Sequence, residues 1–435
     1  MKLDRDTAQQ ALPSLFVSLI GLLLMSKSLY HNIENTATNT LHYLFILNSF
    51  LCFKNNIELN YADIMSSTVR RLAVSSKKLS AFSIIEYVFA CGTKMFFSSI
   101  AVSLIIGLCS NYANIAAIAQ MKEVQKNALL IAGSVCSSFF SGACGSICTF
   151  FCVVLCIFGS IKLEYNPDNI ILPIIASSAD YISTVSLIYF SGNFYSLLHS
   201  IYPDVIVLKG ADNLAPSRKI FFANCALISI LIVLVAVIHH TERERKLPRL
   251  FNVWSLLCAF AVTMLGGVVV NLVSSKNHLL ATMIPLFNGL AGSVALIYTS
   301  QVTTYVNGST IVETSEVALD SDDESGARKE FENPRSLSTL AGLICISSIL
   351  SLISCVAISW IFQKAPKSYV LTFGALLVFE VFLLYHLVNF FVSSLKMFKM
   401  SVSCHVVPLL NASSDLLGSV VLAIASIFLS PISGR

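Results

Sequence analysis

The chain has 435 residues, 55% of them hydrophobic and only 12% charged, with a net charge of +4 and a mean hydropathy of +0.77. A soluble domain carries about 25% charged residues, so this composition excludes a soluble enzyme, a nucleic-acid binder and a secreted disulfide scaffold. Eight of the 24 acidic residues are gathered between Glu313 and Glu332, which leaves the apolar runs poorer still in charge. The 13 cysteines contain no C-x-x-C pair and indicate neither a zinc site nor a disulfide framework. What remains is an all-α multi-span membrane protein.

Apolar stretches of about 18 residues or more define the expected transmembrane helices. They lie near 12–30, 40–66, 82–109, 127–160, 170–198, 220–240, 251–275, 279–305, 337–363, 368–395 and 405–431, eleven in all. The first follows a polar, charged N-terminus (MKLDRDTAQQ) and ends without an A-x-A-like site, so it reads as a span rather than a signal peptide. No span alternates with period two, which argues for helices over a β-barrel. An N-terminus inside places sixteen basic residues on the inner side and ten on the outer, which predicts a cytoplasmic N-terminus and an external C-terminus. The acidic segment around Leu319–Glu324 then falls in a solvated cytoplasmic loop at 306–336, and the sequon at Asn307 is expected to carry no glycan.

Along the chain, Glu86 and Lys94 lie eight apart on the third span, too far for a direct pair, and Glu380 on the tenth is the expected partner of Lys94. Cys144, Cys148, Cys152 and Cys156 recur every four residues on the fourth span, interleaved with Gly142 and Gly145. They read as small residues that permit close helix contact. His386 reads as a packed or interfacial histidine.

Two segments repeat. Pro173 to Asp180 (PIIASSAD) returns as Pro408 to Asp415 (PLLNASSD), a shift of 235, and Asn55 to Glu58 has its counterpart at Gly292 to Ala295, a shift of 237. The chain therefore divides into a first repeat at 1–200, a linker with one transmembrane helix at 201–250, and a second repeat at 251–435. Two five-span units joined directly would be inverted. The linking helix makes them parallel, about a pseudo-twofold axis along the membrane normal.

An ionisable residue inside the bilayer costs at least ~2.5 kcal/mol and calls for a partner or a task. Asp180 and Asp415 lie equally deep in equivalent helices, about 15 Å in at ~1.5 Å per residue. Two carboxylates at one depth, with the hydroxyls of Ser177, Ser178, Ser413 and Ser414 and the carbonyls freed by Pro173 and Pro408, suit a hydrated hard cation. The plainer reading makes each aspartate an acceptor for serine hydroxyls in helix packing.

These motifs resemble the MgtE-type magnesium transporters, most closely the solute carrier family 41 type, in which two such units are fused in one chain. Asn166-Pro167-Asp168-Asn169, followed by Pro173-Ile174 and Asp180, is similar to the family segment NPDN-x-x-x-P-I-A-A-S-x-G-D. Lys54 to Leu59 is similar to KGNLEM, Pro285 to Gly292 to P-x-I-N-G-x-G-G-N, and Ser413 to Gly418 to G-D-L-L-G. The resemblance implies a Mg2+ pathway between the repeats with Asp180 and Asp415 as midplane ligands, joined by Asp168 and Glu58 as metal-binding carboxylates. Asn56, Asn169, Asn288 and Ser293 would line the pathway with the four serines.

It further implies divalent cations as cargo, chiefly Mg2+, with Na+ a candidate coupling ion, the lipid bilayer as surroundings, no nucleic-acid partner, and function as a monomer in the plasma membrane. The second repeat departs from the pattern: Ser403 and Cys404 stand where Asp and Asn are expected, Asn271 where an Asp is usual, and Ser293 replaces an Asn; a family Arg is Ile64 in the first copy and Gln301 in the second. These losses motivate an alternative, a non-conducting family member acting as a membrane interaction or regulatory protein. No H-E-x-x-H or G-x-S-x-G constellation points to an enzyme.

Overall fold

The computed structural model describes residues 2–35, 40–74, 81–118, 124–163, 165–201, 225–230, 232–233, 253–274, 278–315, 337–361, 367–398, 400 and 402–429. Among them the fold is all helix. The long helices are α1 (Lys2–Asn35), α2 (Thr40–Val74), α3 (Ala81–Ile118), α4 (Val124–Leu163), α5 (Pro167–Ile201), α6 (Val253–Ser274), α7 (His278–Ser315), α8 (Leu337–Ile361), α9 (Lys367–Met397) and α10 (Ser403–Leu429). They coincide one for one with ten of the eleven expected spans. Of the linking span at 220–240, only residues 225–230 and 232–233 are described, and these are helical. The acidic segment at 316–336 lies outside the described residues.

Eight of these helices are long and apolar enough to cross a membrane: all except α2 and α6. α6 contains a shorter apolar stretch, Trp254–Gly266. α2 has 35 residues, ample length at ~1.5 Å each for a ~30 Å hydrocarbon layer, but its middle carries Lys54, Asn55, Asn56, Glu58, Asn60 and Asp63. All six are buried, because α2 is walled in by α3, α4, α5, α6 and α10. Its polar groups face protein rather than lipid, the arrangement that makes ionisable groups tolerable at that depth.

The packing is duplicated. α1 lies on α5, α2 on α5 and α3, and α4 on α3 and α5; likewise α6 lies on α10, α7 on α10, and α9 on α8 and α10. The halves interlock through α1 on α7 and α6 on α2, and through α5 on α7 and α10 on α2. The same duplication shows in single hydrogen bonds. At the corner between α4 and α5, Tyr165 N donates to Ser160 O at 3.0 Å, and 235 residues later Met400 N donates to Leu395 O at 2.9 Å. Pro167 opens α5 at a first-turn position, where its missing N–H costs nothing.

Small residues set the closest approaches. A side-chain carbon at Gly142 of α4 would collide with Ser103 of α3, and one at Gly374 of α9 would stand 2.6 Å from Ser351 Oγ of α8. The expected close contact at the glycines of the fourth span is thus found, with Gly145 making room for the Lys54 ammonium. The largest apolar core runs through α1 and α7–α10. Outward faces of α4, α8 and α9 present Leu155, Val356 and Leu371, each at least 70% exposed, as a lipid-facing surface requires.

Candidate functional site

α5 and α10 leave their corners on equivalent paths, so Asp180 falls thirteen residues after Pro167 and Asp415 twelve after Ser403. Both line one cavity of about 90 Å³ between the halves, enough for several water molecules. Its polar wall comes from Asp180 and Ser177 on α5, Asn411, Asp415 and Ser419 on α10, Asn288 and Ser293 on α7, and Thr263 on α6. Its apolar wall is built largely by Leu22, Met25 and Leu29 of α1 with Leu47 and Leu51 of α2. Close helix approach encloses it: Gly21 of α1 lies against Ser177, and Gly266 of α6 against the backbone of Asp415 and Leu416.

The two aspartates are held differently. Asn55 of α2 donates its amide N–H to Asp180 Oδ1. The other end of that amide, Asn55 Oδ1, accepts from Ser183 Oγ at 3.1 Å, and Ser183 Oγ in turn accepts from Lys54 Nζ at 2.9 Å. Lys54 Nζ is paired with Glu58 Oε1 at 2.8 Å, both side chains fully buried. Glu58 also accepts from Ser146 Oγ at 2.8 Å and Thr149 Oγ1 at 2.9 Å. One unbroken relay therefore runs from the cavity into the first half.

In the second half, Asn288 of α7 donates to the main-chain carbonyl of Asp415 at 3.0 Å and to Ser419 Oγ at 3.4 Å. Ser419 caps the same carbonyl at 2.6 Å, which leaves the Asp415 carboxylate to the cavity. No cation balances it from α7, because the counterparts of Lys54 and Glu58 at the 237 shift are Ala291 and Ala295, both buried in apolar core.

Several expectations change here. Glu58, an expected metal ligand, does not line the cavity; its oxygens are engaged by Lys54, Ser146 and Thr149 at the far end of the relay. Asn169 does not line this cavity: its Oδ1 accepts from Gln301 Nε2 at 2.8 Å, a strut between α5 and α7. Asn56 also turns to a neighbour, its Oδ1 accepting from Asn411 Nδ2 of α10 at 3.0 Å. The carbonyl that Pro173 leaves without its helical donor, that of Asn169, is no free ligand, since Ser14 Oγ of α1 donates to it at 2.7 Å. Ser178 and Ser413 are half-buried outside the cavity wall, and Ser178 bonds back to Ile175 O at 3.3 Å. Ser414 is buried behind the wall, donating to Asn288 O at 3.3 Å. Ser293 lines the cavity and shares a hydrogen bond with Ser18 Oγ at 3.0 Å. The Asp168 side chain lies outside the described residues.

Glu380 does not meet Lys94. It points from α9 to α10, where Ser414 Oγ donates to its Oε1 at 3.4 Å. His386 is exposed on α9 and stacks edge-on against Phe382 and Tyr385, as a peripheral histidine should. Reading the sequence missed Asn55, Asn411, Thr263 and Ser419. Asn411 and Ser419 lie four residues either side of Asp415, the i±4 spacing that places side chains on one helix face, so that signal was available.

No family model matches the chain, and no solved structure matches it. Over 182 residues, 41% of its length, it is 29% identical to solute carrier family 41 member 2 of Macaca fascicularis and of Homo sapiens. Over 186 residues, 42% of its length, it is 28% identical to solute carrier family 41 member 3 of Rattus norvegicus. The matched segment spans 28% of the member 2 sequences and 35% of member 3. Over this segment, about two fifths of its length, the chain is similar to members of solute carrier family 41.

Proposed function

We propose that this chain is a membrane transporter that moves divalent cations, chiefly Mg2+, through the cavity between its two halves, with Asp180 and Asp415 as the ligands that hold the ion. The observation that carries this reading is the meeting of these two aspartates, one per repeat, in a single cavity with room for water. Mg2+ takes oxygen ligands, demands octahedral geometry and keeps several of its waters, so a site of two carboxylates, amide and hydroxyl oxygens and water suits it. The implied magnesium chemistry of the family and the name solute carrier of its relatives agree with this reading. The chain acts as a monomer in the plasma membrane, its N-terminus cytoplasmic, with Na+ as a coupling ion. A non-conducting regulatory role fits less well, because both central carboxylates are retained and both face the cavity.

The test is Mg2+ flux into liposomes holding the purified full chain, read with an enclosed Mg2+-sensitive dye. Wild type should load the vesicles, and Asp180→Asn and Asp415→Asn should each abolish loading while eluting as folded, monodisperse protein. Full flux in the double variant sinks the assignment.

A further inference from the structure

Glu380 stands fully buried near the middle of α9, thirteen residues from its start. It has one long hydrogen bond, from Ser414, and its Oε2 has no hydrogen-bond partner. Among the described residues no lysine or arginine pairs with it. A second acceptor is stranded beside it: Asn288 Oδ1, also buried and without a partner. The two converge on Gly418. A side-chain carbon there would stand 2.9 Å from Glu380 Oε1 and would collide with Asn288 Oδ1. Asp415, three residues earlier on the same helix, is close enough to interact electrostatically with Glu380.

Glu380 Oε2 and Asn288 Oδ1 thus stand without donors beside Asp415, whose carboxylate is met only by the Asn288 amide. Buried acceptors without donors are costly, and a buried charge requires a counter-charge. The first half supplies that counter-charge itself through Lys54. The second half has Ala291 at the equivalent position and adds a carboxylate: with Gly142 and Gly374 aligned by their shared serine contacts, Glu380 takes the register of Cys148. Counted as ionised groups, Lys54, Glu58 and Asp180 sum to one negative charge, whereas Asp415 and Glu380 sum to two, the amount a divalent ion neutralises.

We infer that Glu380, with Asp415 and the side-chain carbonyl of Asn288, forms a second binding subsite for a hard divalent cation, beside the central cavity and in the second half only. The subsite rests on the reading of Asp415 as an ion ligand, and it gives the pathway an ion position that the first half lacks. An ion there takes the place that a resident lysine occupies in the first half. Oxygen-only ligation selects Mg2+ or Mn2+ over softer ions. Gly418 keeps the position open, since any side chain would fill it.

The experiment is a Mn2+ titration of the purified full chain, followed by electron paramagnetic resonance, in wild type, Glu380→Gln and Glu380→Asp, alongside Mg2+ flux in liposomes. Glutamine keeps the shape but replaces one carboxylate oxygen by an NH2 group, so it removes the charge and one metal-ligating oxygen. Wild type should bind two Mn2+ and Glu380→Gln one, with a tenfold or greater rise in the Mg2+ concentration for half-maximal flux. Glu380→Asp should keep the second equivalent at reduced affinity, and it carries the test if the glutamine variant fails to fold. A wild type that binds one Mn2+, or a glutamine variant that still binds two, overturns the subsite and assigns Glu380 a neutral packing role. The binding count is independent of flux. Loss of one equivalent in a wild-type background without flux keeps the subsite and rejects transport, and normal flux with an unchanged count does the reverse.

Discussion

Lys54 and Glu58 stand one turn apart on α2 and pair at 2.8 Å, with neither side chain reaching solvent. Removing one member of such a pair leaves an uncompensated buried charge, at a cost of about 3–5 kcal/mol. Lys54→Met should therefore lower the thermal stability of the purified protein sharply. Lys54→Met/Glu58→Met should lower it by less than the sum of the two single changes, because it buries no orphan charge. Additive losses in the double-mutant cycle would mean the two residues act separately. Glu58→Gln should likewise appear first as lost stability, since its oxygens serve Lys54, Ser146 and Thr149 rather than an ion.

Asn55 and Asn56 are neighbours in sequence with separate tasks. Asn55 donates to Asp180, and Asn56 accepts from Asn411 of the other half. A hydrogen bond to a charged group contributes about 1.5–3 kcal/mol, a neutral one about 1 kcal/mol. Asn55→Ala should raise the Mg2+ concentration for half-maximal flux by about tenfold through a freed, misdirected Asp180. Asn56→Ala should change it little and shift the unfolding temperature instead. Equal kinetic effects from both would contradict this division.

Much of this was legible in the sequence. Most helix positions followed from apolar runs, because lipid demands them whatever the tertiary packing; polar residues interrupt the run of α2. The aspartates stood out because a scarce residue recurred at one shift. The ion pair was also written there, as Lys54 and Glu58 at i,i+4, but the family pattern drew Glu58 toward a metal role. What could not be read was which helix face meets which neighbour. Glu380 was matched to Lys94 by charge, whereas α9 packs on α10 and α7 and turns Glu380 to Ser414. Ser14 covering the carbonyl of Asn169 is a contact across 155 residues that no local pattern encodes.

Gly142 tests the packing. Ser103 fills the space where a side chain at Gly142 would begin, and overfilling a tight contact costs about 1–3 kcal/mol. Gly142→Ala should destabilise the bundle by that amount, read as a lower unfolding temperature. Ser103→Gly in the same chain should restore part of it. No recovery would place the damage elsewhere.

The orientation has its own check. With the N-terminus cytoplasmic, the sequon at Asn307 faces the cytoplasm and never meets the glycosylation machinery. The protein expressed in glycosylating cells should show no mobility shift on treatment with a glycan-releasing enzyme. A shift lost in Asn307→Gln would reverse the topology.

The two central aspartates should not be equivalent. Asp180 is linked through Asn55 and Ser183 to a buried ammonium, which offsets part of its negative potential. Asp415 is linked to no cation; Asn288 donates to it, and it lies within electrostatic reach of both Asp180 and Glu380. An arriving cation gains more from Asp415, since its approach relieves a like-charge repulsion as well as meeting a carboxylate. Glutamate in place of either aspartate keeps the charge at some loss of geometry, so residual flux remains measurable where the asparagine variants carry none. Asp415→Glu should raise the half-maximal Mg2+ concentration more than Asp180→Glu, and adding Lys54→Met to each should narrow the gap. Identical responses would mean that the relay through Ser183 does not reach the ion.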